Sequence, residues 1–313
     1  ARAAQGRADD LLTATLLTVR CPVVFAPAMH TEMWEHPATQ ANVATLRDRG
    51  AIVLDPAVGR LTGPDTGKGR LPDPQSLYDV ARVVLARGHQ GLDLAGLHVV
   101  VSAGGTREHL DPVRFLGNRS SGRQGWALAT TAVARGARVT LVAANVGLVP
   151  PAGATVVPVG SARELGEAMA AAAAEADVVV MAAAVADFRP ATESAAKIKK
   201  GPGEPASVDL VRTDDVLAAL VARRRAGQVI VGFAAETDDV LANGRAKLAG
   251  KGADLIVVNP VGPDRGFESA DNEGVILAAD GSETAVPLGP KEALADALWD
   301  AVVACMGHGD PPG

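Results

Sequence analysis

The feature that most constrains the fold is a rhythm of short, nearly continuous apolar runs: His98–Ser102, Arg138–Ala143, Thr155–Val159, Asp177–Ala182, Val229–Phe233 and Asp254–Asn259. Alanine-rich stretches of helical period separate most of them, over 122–135, 162–176, 214–225 and 238–250. A strand that is apolar throughout needs cover on both faces, and helix-length crossovers allow its neighbours to run parallel. The pattern therefore implies a parallel sheet with helices on either side. Composition agrees, because 48% of residues are hydrophobic and only 3% aromatic, which suits small-residue helices on a β-branched sheet. Near the end the pattern changes: Glu273–Ala278, the turn Asp280-Gly281 and Glu283–Pro287 read as a β-hairpin. A last helix is expected over 290–305.

The chain before this rhythm reads as a second, smaller α/β segment. Pro22–Ala26 and Ala51–Leu54 are strand-like and flank a helical stretch over 37–49, while 59–74 has the Gly/Pro/Asp composition of a mobile loop. A helix over 76–86 follows. The polar run Arg87–Asp93 is a linker, dividing the chain into 1–93 and 94–313.

Several function classes are disfavoured at once. A net charge of -6 gives neither nucleic acid nor an acidic membrane surface an attractive field. Cys21 and Cys305, the two cysteines of the chain, form neither a disulfide framework nor a Cys-x-x-Cys knuckle, and fit a reducing cytoplasm. There is no long uncharged apolar run and no signal-peptide core near the start. The chain opens without Met inside a helix-like stretch, so an N-terminal portion is expected to precede Ala1. The scattered histidines define no metal site, and the metal ligands are left unassigned.

The connection from Val100 to Gly125 carries the strongest chemical signal. Its strand ends at Gly104-Gly105-Thr106 and its helix begins near Ser120-Ser121-Gly122, with Arg107, Arg114, Arg119 and Arg123 alongside. Such a loop is expected to bring backbone N–H groups, hydroxyls and guanidinium groups to one place, which is chemistry for anions. Its spacing fails the Gly-x-Gly-x-x-Gly pattern, and the strand ending at Asn145 lacks the acid that binds a nicotinamide ribose. An NAD(P)-dependent reductase is therefore disfavoured, and no Gly-x-Ser-x-Gly elbow is present. On the same sheet rim Asp187 is placed to meet a ribose, a base amine or a metal. The run Lys197-Ile-Lys-Lys200 reads as a triphosphate contact or as a solvated basic loop. Lys247 and Lys251 share a helix face at i, i+4, where like charges repel unless something anionic joins them. Phe233 reads as a core residue or a base-stacking one, and Asn118, Asn259 and Asn272 as backbone-geometry residues.

Taken together, Ser102–Glu108, Asp111–Phe115, Asn118–Gly125, Ala182–Phe188, Lys197–Lys200 and Val231–Thr237 resemble phosphopantothenoylcysteine synthetase, the ligase of coenzyme A biosynthesis. Ala26–Trp34 and Asp65–Leu71 are similar to the C-terminal part of phosphopantothenoylcysteine decarboxylase, which bacteria commonly fuse ahead of the ligase. The resemblance implies a Rossmann-like parallel sheet with flanking helices and a C-terminal β-hairpin, preceded by a partial flavodoxin-like α/β segment. It also implies CTP-dependent joining of 4'-phosphopantothenate to L-cysteine through an acyl-cytidylate, with Mg²⁺, in a cytoplasmic homodimer. FMN-dependent decarboxylation and a larger homo-oligomer are implied for the full-length polypeptide.

By the same resemblance Asn118 handles the acyl-cytidylate and Lys197 is a catalytic, nucleotide-contacting residue. Gly104, Gly105, Thr106, Ser120, Ser121 and Gly122 are expected to cradle anionic groups. Met181, Ala182, Ala183, Asp187, Thr213, Asp214, Asp215, Val216, Phe233, Lys247 and Lys251 would bound the CTP site. The decarboxylase segment departs from its family at His30, normally Asn, and at Thr62-Gly63-Pro64, where a proton-donating Cys is normal. On its own the chain is thus expected not to decarboxylate. A non-catalytic nucleotide-binding regulator using the same rim is the competing reading.

Overall fold

The computed structural model describes residues 1–199, 207–236, 239–260, 269 and 271–307. Lys200, Thr237 and Asp238 lie outside the described residues. The chain divides into two compact units, Ala1–Leu97 with Ala129–Val139 and Val149–Thr155, and His98–Leu128 with Thr140–Leu148 and Val156–Gly313.

In the first unit the elements run α1 (Leu11–Thr18), β1 (Val24–Phe25), α2 (Thr31–Glu35), α3 (Pro37–Asp48), β2 (Ile52–Val53), β3 (Ala57–Arg60), β4 (Thr66–Arg70) and α4 (Pro74–Arg87). Proline at the first position starts both α3 and α4, where its missing N–H costs nothing. β1 and β2 pair in parallel over a small core of Trp34, Val43 and Val53. The expected mobile loop is instead an antiparallel ladder, with Arg60 opposite Thr66 and Gly59 opposite Gly67. Its glycines serve close approach: a Cβ on Gly69 would lie 2.0 Å from the Met29 carbonyl oxygen. The Met29 N–H donates to the Gly69 carbonyl at 2.9 Å. A stretch rich in glycine for contact has the same composition as one rich in glycine for mobility.

From His98 the chain forms β5 (His98–Gly104), β6 (Arg107–His109), β7 (Phe115–Gly117), α5 (Arg123–Ala134), β8 (Arg138–Ala144), β9 (Ala154–Val159), α6 (Ala162–Ala173) and β10 (Val178–Met181). It continues with β11 (Phe188–Pro190), β12 (Leu210–Arg212), α7 (Val216–Ala222), β13 (Val229–Glu236), α8 (Val240–Lys251), β14 (Leu255–Pro260), β15 (Asp271–Ala278), β16 (Glu283–Pro290) and α9 (Lys291–Gly307). One sheet has the order β16-β15-β14-β13-β10-β5-β8-β9. β5, β10, β13 and β14 are parallel neighbours, whereas β15 and β16 continue the sheet antiparallel. This is the mixed α/β sheet that the apolar rhythm and the hairpin signal predict.

Every residue of β5 and β10 is buried. Val100, Val179 and Ile230 lie side by side across the sheet and pack with Leu165 and Met169 of α6 and Leu220 of α7. Each such buried side chain contributes roughly 1.5–3 kcal/mol relative to exposure. α6 starts with a capping box in which Ser161 and Glu164 exchange bonds. The bonds from the Gly160 and Ser161 N–H groups hold the Glu164 carboxyl below its ordinary value. No helix of the described residues is long and apolar enough to cross a membrane.

α5 rests directly on β5 through Gly125, where a Cβ would lie 2.4 Å from the Ala103 Cβ and 3.0 Å from the Ser102 carbonyl oxygen. Gly125→Ala is therefore expected to destabilise the fold by about 1–3 kcal/mol through overpacking. Urea unfolding checks this as a lowered midpoint at unchanged slope. An unchanged midpoint would mean that α5 can move away from β5 freely.

Candidate active site

The carboxyl ends of the central strands are cross-tied before any ligand is considered. Gly105 bridges Ala184, the Ala184 N–H donates to the Gly104 carbonyl at 2.8 Å, and the Thr106 N–H donates to the Ala184 carbonyl at 3.2 Å. Thr106 Oγ1 accepts from the Ala186 N–H at 2.9 Å, and Ser102 Oγ accepts from the Ala183 N–H at 3.1 Å. These bonds hold the small-residue run after β10 open along one wall of a cleft of about 840 Å³.

This cleft brings together most of the residues singled out in the sequence. Asn118, Ser120 and Ser121 reach it from the loop before α5, and Met181, Ala182, Ala183 and Asp187 from the segment after β10. Thr213, Asp214, Asp215 and Val216 line it at the start of α7, Phe233 on β13, and Lys247 and Lys251 on α8. Asn118 Nδ2 donates to the Val185 carbonyl at 2.9 Å, and Thr213 Oγ1 donates to the Ala186 carbonyl at 2.5 Å.

Gly104, Gly105, Thr106 and Gly122 are not among the residues that line the cleft. The Gly105 N–H is taken by the Ala144 carbonyl at 3.2 Å, and that of Thr106 by Ala184. Gly104 has φ +86°, and a Cβ there would lie 2.0 Å from the Ala144 carbonyl oxygen. On Gly105 a Cβ would lie 2.7 Å from the Asn118 carbonyl oxygen. Gly122 has φ +77°, with Val146 Cγ2 2.7 Å from its Cβ position. The glycines thus let backbone segments approach one another, and of the six residues expected to form the cradle Ser120 and Ser121 line the cleft.

The four arginines are not gathered in one place either. β6 and β7 form an antiparallel pair inside what reads as one long loop, with Arg107 opposite Gly117. Arg119 lines the cleft, whereas Arg107 stacks over the Phe115 ring at 4.6 Å. Arg114 is engaged with Asp111, donating from Nη2 at 2.5 Å and from Nε at 3.0 Å.

Lys197 is exposed and outside the cleft lining, but its loop is tethered. Asp111 Oδ2 accepts from the Ile198 N–H at 3.1 Å, and Arg114 Nη2 donates to the Ile198 carbonyl at 3.1 Å. Asp111 Oδ1 accepts from the Val113 and Arg114 N–H groups, each at 2.8 Å. The Arg114 guanidinium, with these backbone donors, holds the buried Asp111 carboxyl well below the usual carboxylate range.

Lys247 and Lys251 do have anions joining them, but from the protein. Lys247 pairs with Glu236 at 2.6 Å, and Lys251 pairs with Asp215. Asp215 also caps α7, accepting from the Ala218 N–H at 3.0 Å. Against the upward push of burial, the Lys251 hydrogen bond and that N–H leave its carboxyl below its ordinary value. A periodicity argument sees two like charges on one face and cannot see carboxylates from β13 and α7.

Gln124, Asn259, Asn272 and Lys291 also line the cleft, and sequence reasoning passed over all four or assigned them to backbone geometry. Asn272 Nδ2 donates to Gln124 Oε1 at 2.9 Å, so it braces the wall. A sequence signal was available for Lys291: a cation at the first position of a helix opposes the helix dipole. Another cleft, of about 1240 Å³, lies by α6 and the β11–β12 pair. There Glu164 closes its capping box and Arg163 pairs with Glu167 at 2.9 Å, so these side chains are already satisfied.

Residues 94–306 match the family described as DNA/pantothenate metabolism flavoprotein C-terminal domain, and residues 1–85 match the family described as Flavoprotein. The chain is 58% identical to the coenzyme A biosynthesis bifunctional protein CoaBC of Mycolicibacterium smegmatis, over 98% of this chain and 77% of that one. The Bacillus subtilis protein of the same name is 42% identical over 91% of this chain and 70% of its own. A crystal structure of the C-terminal domain of a CoaBC protein matches with a TM-score of 0.59 at 34% identity, covering 69% of this chain and 99% of that one. With both regions matched in order and such identity along nearly its whole length, the chain belongs to the family of bifunctional coenzyme A biosynthesis proteins CoaBC.

Proposed function

We propose that residues 94–313 form a ligase that joins 4'-phosphopantothenate to L-cysteine with CTP. In the full-length polypeptide, residues 1–93 belong to an FMN-dependent decarboxylase that acts on the product. The observation that carries the ligase reading is the cleft itself, which gathers Asn118, Asp187, Phe233, Lys247 and Lys251 beside the backbone of Met181–Ala183. In the first step the substrate carboxylate attacks the α-phosphorus of CTP, and the bond to pyrophosphate breaks. In the second the cysteine amine attacks the acyl carbon, CMP leaves and the amine gives up a proton.

An anion attacking an anion needs its charge cancelled. Lys247 and Lys251 supply cations inside the cleft, and Lys197 another from its tethered loop. Asn118 offers an amide donor without a competing nucleophile. Phe233 and Asp187 are suited to the base and the ribose.

Among the described residues no group of three His, Cys, Asp or Glu side chains could hold a metal ion. Mg²⁺ therefore fits as an ion carried by the nucleotide phosphates, which is its ordinary mode of binding. The Thr62-Gly63-Pro64 turn provides no thiol that could donate a proton. The exposed Phe115, Phe188, Leu210 and Val211 on the β6–β7 and β11–β12 pairs support assembly with a second copy. The free thiols Cys21 and Cys305 fit a reducing cytoplasm.

Pyrophosphate release tests the ligase reading, measured with CTP or ATP, with 4'-phosphopantothenate, and with or without cysteine. Release that requires 4'-phosphopantothenate and prefers CTP is expected. Tight CTP binding with no release under any combination would favour the non-catalytic regulator. Lys197→Gln is expected to lower turnover while leaving the unfolding midpoint nearly unchanged, because the side chain is exposed.

A further inference from the structure

Lys291 opens α9 yet is only 5% exposed. An ammonium group is costly to bury unless it is paired, and at a helix N-terminus it also meets the positive end of the dipole. Its Nζ donates to the Asp271 carbonyl oxygen at 3.2 Å, and among the described residues it forms no ion pair. A lysine carries three N–H donors, so one carbonyl leaves donors to spare.

The surroundings fix the backbone that carries this group. Gln124 Nε2 donates to the Lys291 carbonyl at 3.2 Å, and Asn272 Nδ2 donates to Gln124 Oε1 at 2.9 Å. α5, β15 and α9 are thus joined around the ammonium, and all three side chains line the cleft. Burial and then the Arg123 charge push the Lys291 pKa below the ordinary lysine value, while Asp271 and Glu292 act the other way. A guanidinium and a buried ammonium meet here at two helix N-termini, with the Asp271 and Glu292 carboxylates opposing them. Lys247 and Lys251, by contrast, already have carboxylate partners.

We infer that Lys291 is a binding residue for a phosphate group of one of the cleft's substrates, an inference that rests on the ligase reading above. The phosphate belongs either to the outer part of the nucleotide or to the phosphomonoester of the second substrate. The competing role is structural, a hydrogen bond tying α9 to β15.

Two variants of the full chain separate these roles. Lys291→Gln keeps a donor for the Asp271 carbonyl without the charge, and Lys291→Met removes both. Equilibrium binding of CTP against CMP, and of 4'-phosphopantothenate against pantothenate, is measured together with the unfolding midpoint. Losing a hydrogen bond to a charged group is expected to weaken the phosphate-bearing member of one pair by roughly tenfold or more, with its counterpart little changed. A loss confined to CTP assigns the outer phosphates, and one confined to 4'-phosphopantothenate assigns the phosphomonoester. Unchanged binding in both variants would overturn the inference, as would equal weakening of all four ligands with a lowered midpoint in Lys291→Met alone. Wild-type pyrophosphate release is run in parallel, so failure of the ligase reading appears there and not in the variant comparison.

Discussion

Asn118→Asp is expected to lower pyrophosphate release at saturating substrates by roughly 10²-fold or more, the scale for removing a donor aimed at developing charge. The substitution changes one nitrogen to oxygen and nothing in volume. Asn118 is exposed, and its amide makes a hydrogen bond to the Val185 carbonyl. An aspartate there has no donor for that carbonyl and sets a negative charge in a cleft proposed to hold several anionic groups. The fold has little reason to respond, because the backbone of Asn118 is positioned by its close approach to Gly105. The checks are steady-state pyrophosphate release and the unfolding midpoint. Near-normal turnover would remove Asn118 from the mechanism.

Asp111→Ala should be nearly as damaging, although Asp111 is a positioning residue and not a catalytic one. Its buried carboxylate joins the Arg114 side chain, two backbone N–H groups of its own turn, and the Ile198 N–H beside Lys197. Removing it frees the Lys197 loop, and a misplacement of about 1 Å at a reacting centre can cost roughly 10²-fold. The signature is non-additivity: if Asp111 acts through Lys197, the double variant Asp111→Ala/Lys197→Gln loses no more turnover than Lys197→Gln alone. Additive losses would mean that Asp111 supports something else.

The pH dependence has a definite sign. The folded carboxyl lies below its unfolded value, so its contribution to stability is complete above the unfolded pKa of about 3.9 and is lost only as pH falls below it. Turnover changes between pH 5 and 9 therefore do not arise from this clamp.

The sheet was legible because its signal is local. Runs such as Val99–Val101 and Val178–Ala182 are apolar throughout, a pattern that a strand covered on both faces produces by itself. The short pairs β6–β7 and β11–β12 were not legible. Their strands are three residues long and include Arg107, Glu108, Arg189 and Arg212, too few positions for a period of two to show. In the site, residue types on the rim were readable and their partners were not. The glycines of 104–105 and the lysines of α8 looked alike to sequence reasoning, as groups awaiting an anion. The structure closes the Gly105 and Thr106 N–H groups with the Ala144 and Ala184 carbonyls and gives the lysines Glu236 and Asp215. Lys291 showed the opposite blindness, since burial by α5 and β15 depends on contacts far away in sequence.

The pairing of Lys247 with Glu236 and of Lys251 with Asp215 has a consequence for which anions the cleft can favour. Any anion that engages one of them must first compete with a carboxylate tethered at effectively high local concentration. A small ion such as chloride or inorganic phosphate, touching one lysine, gains about what it displaces. A longer polyanion that spans both lysines takes two sites through one tether and keeps a net advantage. Discrimination by ligand length can thus reside in ion pairs that the protein makes with itself.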